Sequence, residues 1–339
     1  IEDLAPLLIG ETVRDVERLG QKIRVALMAH GQTGVVGMGA LAAIDMALWD
    51  LNAQALGVPV SALLGGTVRA AVPYYVHAAN VEQAHAAVAS GVRGLKVGGT
   101  KDIVARAHAI RAAVGPEIDM MVDLHGPPWL TPSDAVAIGR ELEPLRLLFL
   151  EEAVAPDDLR GWKLLRDKVA LPLAGGERLA TLAEMRPFLE SGLLDVVQPD
   201  TGRFGGLTQM KKLAAMAEAC SVMVAPHSGS LGPVAEFAAA HLLCAIPNGL
   251  VMERLAPEWE GRAATIQGAL QVQDGCITVP TSPGLGVRID QAFVASHPSV
   301  RNIAIATGGW NPGTDAETVF IQARRPRASQ FLTTPTTTP

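Results

Sequence analysis

Ile118-Asp119-Met120-Met121-Val122-Asp123 is a short apolar run of strand length that ends on a carboxylate. The same pattern recurs in Leu147-Leu148-Phe149-Leu150-Glu151 and in Leu171-Pro172-Leu173-Ala174-Gly175-Gly176-Glu177. It returns in Asp195-Val196-Val197-Gln198-Pro199-Asp200, Val222-Met223-Val224-Ala225-Pro226-His227 and Leu250-Val251-Met252-Glu253. The terminal residues Asp123, Glu151, Glu177, Asp200, His227 and Glu253 are 28, 26, 23, 27 and 26 positions apart, with helix-like segments between them. A strand and a helix repeated at that interval is the unit of a (β/α) barrel, whose eight units span ~250 residues. The carboxyl ends of parallel barrel strands converge on one mouth, so six distant polar groups are expected around one cavity.

The chain of 339 residues is long enough for such a barrel plus a small second domain. Nearly half of it is apolar and little of it aromatic, which suits a large aliphatic core. A net charge of −6, with no basic cluster before Arg324-Arg325-Pro326-Arg327, argues against nucleic acid as a partner. Cys220, Cys244 and Cys276 are odd in number, lack metal-like spacing and lie in apolar contexts. They read as buried thiols of a reducing compartment, hence a cytoplasmic protein. There is no leader-like start and no unbroken apolar run of about 18 residues, so no membrane is implied. The opening Ile1-Glu2-Asp3-Leu4 falls mid-pattern, which leads us to expect residues upstream.

Residues 1–66 read as helices, one led by Asp15-Val16-Glu17-Arg18-Leu19 and a long apolar one from Gly39 to Leu56. Gly57, with Pro59 two residues later, is a helix stop. Pro73-Tyr74-Tyr75-Val76 and Gly94-Leu95-Lys96-Val97-Gly98 fit the first two barrel strands, and Ala84 to Ser90 the helix between them. Thr131-Pro132-Ser133-Asp134 and Thr181-Leu182-Ala183-Glu184 are helix starts, the second with capping-box spacing. The barrel is expected over residues 67–255. A return segment of loop and short strand should follow over 256–290, and then a C-terminal extension over 291–339. The extension ends in a Thr/Pro tail, Leu332 to Pro339, that should lack structure.

Three carboxylates at the ends of consecutive strands, Asp123, Glu151 and Glu177, would raise one another's pKa unless a cation compensated. A hard divalent ion does so, and Mg2+ suits a site with few carboxylates. Any one of the three taken singly reads as a solvated acid or an ion-pair partner. Glu152 points the opposite way from Glu151 and reads as a structural ion-pair partner. Asp200 beside His227 would fix the imidazole tautomer and make His227 a general base. Arg178 and Arg203 either bind a substrate carboxylate or balance the acids. By strand alternation His125 faces the cavity with Asp123, either as an acid toward substrate or as a group steadying Asp123.

The string Gly39-Ala40-Leu41-Ala42-Ala43-Ile44-Asp45-Met46-Ala47-Leu48-Trp49-Asp50, then Pro59 to Gly66, resembles the helix leading into the barrel in the mandelate racemase-like branch of the enolase superfamily. Pro283-Gly284-Leu285-Gly286-Val287 resembles its closing segment, and Asp123-Leu124-His125 the Asp-x-His motif of that branch's acid-sugar dehydratases, the galactonate type among them. The resemblance covers roughly residues 1–290. It implies an α/β fold: a modified TIM barrel of the (β/α)7β type with a partial, N-terminally truncated α+β capping domain, of which 1–66 is the helical part.

It also implies Asp123, Glu151 and Glu177 as Mg2+ ligands, and His227 with Asp200 as base dyad. His125 would be the acid for the departing hydroxyl, and Glu253, carrying a proton, the stabiliser of the enediolate. Lys96 either touches substrate or offsets the acids.

The implied reaction is dehydration of a sugar acid, an aldonic acid such as galactonate, to a 2-keto-3-deoxy acid through a metal-stabilised enediolate. The implied assembly is a homo-oligomer. The branch's racemases carry Lys-x-Lys on the second strand, whereas this chain has Lys96-Val97-Gly98. The alternatives are a racemase or epimerase of a 2-hydroxy acid on the same platform, or an inactive truncated member. Substrate stereochemistry would be read by upstream cap loops and by Pro127-Pro128-Trp129 and Pro257-Glu258-Trp259.

Overall fold

The structure, a computed structural model, describes residues 1–229, 232–255, 260–298 and 319–323. The tail from Leu332, the basic stretch Arg324–Arg327 and the loop Pro257–Trp259 lie outside them. Helices α1 (Val16–Ala29), α2 (Val35–Leu56) and α3 (Val60–Leu63) come first, and no strand precedes Ala71 among the described residues. α2 starts four residues earlier than read from Gly39. It ends where Gly57 takes a left-handed φ of 68°, a conformation that glycine adopts without strain.

α2 is apolar enough to cross a bilayer by composition alone. Its neighbours account for that character. Leu41, Ile44 and Leu48 bury against Leu19, Ile23 and Leu27 of α1, while Ala42, Met46 and Ala53 join the core of the barrel. Each fully buried leucine or isoleucine contributes roughly 1.5–3 kcal/mol.

Eight strands then alternate with helices: β1 (Ala71–His77), β2 (Gly94–Gly98), β3 (Asp119–Asp123), β4 (Phe149–Glu151), β5 (Leu173–Gly175), β6 (Val196–Val197), β7 (Met223–Val224) and β8 (Met252–Glu253). The helices between them are α4 (Val81–Ala89), α5 (Ile103–Val114), α6 (Pro132–Leu142), α7 (Leu159–Lys168), α8 (Leu182–Glu190), α9 (Gly206–Ala219) and α10 (Pro233–Ala245). From β1 to β7 each strand pairs in parallel with the next. β8 returns to pair with β1, Tyr74 opposite Met252, and Val224 of β7 bridges to Gly249 just before β8. The ring therefore closes in (β/α)7β order.

Alternation along these strands separates two cores. Tyr75, Met121, Phe149, Ala174, Val196 and Val251 point inward and fill the barrel. Val76, Met120, Val122 and Leu150 point outward under the helices. The next inward position beyond Tyr75, Met121, Phe149 and Val251 is His77, Asp123, Glu151 and Glu253, so the apolar layer floors a polar one. Asp123, Glu151 and Glu253 close their strands. Glu177, Asp200 and His227, in contrast, lie two or three residues past theirs. Gly175-Gly176, Pro199 and Pro226 stop those ladders early, since proline offers no N–H to the next strand.

The side chains of Asn80, Thr131 and Asp158 cap α4, α6 and α7, and Thr181 with Glu184 forms the capping box of α8. α9 has no side-chain cap of its own. Instead Asp45 of α2 accepts the Thr208 N–H at 3.0 Å. Gly206 makes room for this: a Cβ there would lie 2.4 Å from the Asp45 carboxylate, and its φ is +83°. Asp50 likewise accepts the Leu285 N–H at 2.7 Å, which pins the return segment to α2. That segment also carries a hairpin, Gln271–Gln273 and Cys276–Thr278, whose second strand lies antiparallel on β1.

One sequence reading needs correction. Only Cys244 is buried; Cys220 is exposed just past the end of α9, and Cys276 is half-buried at the start of the second hairpin strand. The C-terminal extension contributes α12 (Gln291–Ser296), which follows α11 (Glu260–Ala264) in chain order. It also contributes a two-residue strand, Ile321–Gln322, paired in parallel with Trp129–Leu130 at the barrel mouth.

Candidate active site

Lys96 is the hub of the polar layer. It is wholly buried on β2 above the ring of Tyr75, 5.5 Å from Nζ to the ring centre. Its Nζ lies 2.7 Å from Glu253 Oε1, 3.1 Å from both Glu151 oxygens and 3.4 Å from Asp123 Oδ2. Burial alone would favour the neutral amine, but Glu151, Glu253 and Asp123 outweigh it and hold the ammonium well above its ordinary pKa. In this structure the contacts of its ammonium are with the acids Glu253, Glu151 and Asp123.

A second group forms around Glu177. Arg178 Nη1 lies 2.6 Å from Glu177 Oε1 and also binds Glu152, while its guanidinium stacks 5.6 Å from the Trp129 ring. Arg178 thus balances acids, and Glu152 is the buried ion-pair partner that alternation predicts. Arg203 lines a cleft with Val36 and Gly39 of α2, and its charge also acts on Asp200.

The two histidines occupy opposite sides. β3, which leads to His125, and β7, which leads to His227, are the third and seventh of eight strands and so face each other across the ring. His125 Nδ1 lies 2.8 Å from Asp123 Oδ2, and its backbone N–H donates to Oδ1 at 3.0 Å. Its ring also stands 3.7 Å from where a Cβ on Gly98 would be. His227 Nδ1 lies 3.3 Å from Asp200 Oδ2, and Nε2 lies 3.2 Å from Glu177 Oε2 and 3.5 Å from Glu253 Oε2. Burial opposes a charge on His227, yet Glu253, Asp200 and Glu177 together raise it to about 10. The same contest ends differently among the acids. Lys96 and the His125 bond override burial and keep Asp123 below the carboxylate range, whereas burial and repulsion by Asp123 push Glu151 well above it. Glu152 rises to about 7 through burial and Glu177.

Glu253 departs from the sequence reading. Expected as a protonated donor, it is held well below its ordinary value: burial is overcome by Lys96 and His227, and His77 adds a bond at 2.8 Å. Here it is an acceptor. His77 was missed, although Tyr74-Tyr75-Val76-His77 shows the apolar-then-polar ending of the later rungs.

The residues suit a hard divalent cation by donor type and by charge. Asp123, Glu151 and Glu177 are all buried oxygen donors. Burial first, and then repulsion by Asp123, raise Glu151 against the pull of Lys96, and Glu253 Oε2 and Glu152 Oε1 are buried without a hydrogen-bond partner. Among the described residues no three acidic, His or Cys side chains form a ready metal cluster. Lys96 stands against Asp123 and Glu151, and Arg178 against Glu177.

Comparison with known proteins accounts for this architecture. Residues 1–65 match the N-terminal domain model of mandelate racemase and muconate lactonizing enzyme, and residues 79–293 match the enolase C-terminal domain-like model. The chain belongs to the enolase superfamily.

Within it, the chain is 33% identical over 320 residues to a D-galactonate dehydratase of Ralstonia nicotianae, covering 87% of this chain and 82% of that protein. A D-galactonate dehydratase of Verminephrobacter eiseniae is 34% identical over 318 residues, with the same coverage of both chains. Among solved structures, an enolase of Pantoea ananatis with bound D-gluconate and Mg superposes with a TM-score of 0.80 at 28% identity, over 88% of this chain and 83% of that one. The enolase superfamily barrel is thus the frame in which the six rungs and Lys96 meet.

Proposed function

We propose that this chain is a hydro-lyase that dehydrates a sugar acid, an aldonic acid such as galactonate, to a 2-keto-3-deoxy acid. One observation carries the reading: two carboxylate-bound imidazoles, His125 and His227, stand beyond opposite strands of one ring of buried acids. The relatives named D-galactonate dehydratase support the substrate class.

Asp123, Glu151 and Glu177 would hold Mg2+, which when bound supplies Lewis-acid stabilisation of charge on the substrate carboxylate. His227, oriented by Asp200, takes the proton from C2, and the bonding pair moves toward the carboxylate to give an enediolate. In the arrangement described His227 carries a proton, held by three acidic neighbours. Neutralising Glu177 removes one of them and brings the imidazole down toward the range of a base. Lys96 offers a fixed buried cation to the developing negative charge. His125, held through Nδ1 by Asp123, donates a proton to the C3 hydroxyl. The C3–O bond breaks, water leaves, and the enol tautomerises by taking a proton at C3.

The test is to incubate the full chain with aldonic and aldaric acids and Mg2+ in deuterated water. A keto acid trapped by semicarbazide, lost on adding EDTA, supports the proposal. Acid returned with deuterium at C2 and no keto acid overturns it in favour of an epimerase, a reaction that two opposed imidazoles would also serve. No reaction with any acid leaves the inactive-member reading.

A further inference from the structure

Phe320–Gln322 lies beyond the residues that either family model matches, yet it returns to the catalytic mouth. The Phe320 carbonyl accepts the Trp129 N–H at 2.9 Å, and the Gln322 carbonyl accepts the Thr131 N–H at 3.1 Å. The Phe320 and Trp129 rings meet with centroids 5.0 Å apart. The Gln322 amide Nε2 then donates to Thr100 Oγ1 at 3.2 Å and to the Pro128 carbonyl at 2.9 Å, which ties together the loops after β2 and β3.

Those loops border an open cavity of about 590 Å3, lined by Gly98, Thr100, Arg106, His125, Pro127 and Gln322 among others. Of the proposed catalytic groups only His125 reaches it. The Arg106 guanidinium is fixed by the carbonyls of Gly98 at 2.7 Å, Lys101 at 3.1 Å and Ala79 at 3.2 Å.

Given the dehydratase reading, on which this inference rests, the direction of the substrate follows. Its carboxylate lies with the acid triad and its C3 hydroxyl at His125. The carbons beyond C3 then continue past His125 into this cavity, whose hydroxyl, amide and guanidinium groups suit a polyhydroxy chain. We infer that Gln322 is a specificity-determining residue that reads the hydroxyls beyond C3, and that the Phe320–Gln322 segment is the wall carrying it.

The experiment compares two acids on the full chain: glycerate, which ends at C3, and galactonate, which extends to C6. His227→Asn in every sample prevents turnover, and calorimetry with Mg2+ present reads the Kd. Gln322→Leu keeps the bulk and removes the amide. We expect it to weaken galactonate about tenfold, the scale of one or two lost hydrogen bonds, and to leave glycerate within about twofold. Phe320→Ala, which loosens the strand, should act in the same sense. Equal weakening of both acids makes the segment merely structural and overturns the inference, as does an unchanged galactonate Kd. Failure of galactonate to bind the parent protein overturns it as well. If the selective loss appears while the active chain forms no keto acid, the reaction reading fails and the role of Gln322 stands.

Discussion

Lys96 Nζ lies 2.7 Å from Glu253 Oε1 with both side chains fully buried, so a single ammonium joins the last strand of the barrel to the second. The same ammonium faces Glu151 and Asp123. Replacing it with methionine leaves these acids without their shared cation in a dry interior. Lys96→Met should cost about 3–5 kcal/mol in urea unfolding, the scale of a broken buried pair. Added Mg2+ should restore more stability to the variant than it adds to the parent. Equal Mg2+ responses would separate Lys96 from the ion's ground.

His125→Asn separates the two halves of the proposed reaction. Keto acid formation should fall about 10²–10⁴-fold, the usual contribution of one proton donor. Exchange of the C2 proton with deuterated solvent should continue, since His227 and Asp200 are untouched. Loss of both in equal measure would return His125 to the role of steadying Asp123.

Glu177→Gln retains the shape of the side chain and removes its charge. Mg2+ affinity, followed by calorimetry, should drop by at least about tenfold, the lower end of what even indirect metal partners contribute. An unchanged affinity would take Glu177 out of the ligand set.

Asp45 provides a pH test away from the site. Burial raises it to about 6, against the opposing bonds from Thr208. The folded chain therefore holds this proton more tightly than the unfolded chain, whose Asp titrates near 3.8. The resulting stability is complete below about pH 4 and is lost as pH rises through 6, amounting to about 3 kcal/mol. Relative to Asp45→Asn, which carries no titrating group there, the parent should lose stability over that interval in urea unfolding. Parallel pH profiles would refute the assignment.

The barrel was legible because each unit repeats one pattern, and closing the ring makes that period spatial. Glu152 followed from alternation on a single strand. His77 carried the same signature but escaped notice, since its partner Glu253 lies at the far end of the barrel sequence. The charge state of Glu253 was hidden for a related reason: it depends on Lys96, His227 and His77 from three other strands or strand-end loops. No period marks Phe320–Gln322, whose strand exists only through its pairing with Trp129–Leu130. Cys220 misled because apolar neighbours in sequence say little about which way a helix-end residue faces.

Position 98 on the second strand and His125 beyond the third are neighbours in space. A β-carbon at 98 would lie 3.7 Å from His125 Cε1, an ordinary van der Waals contact. A longer side chain at 98 would start alongside the imidazole, so what the second strand carries there bears directly on the group proposed as the acid.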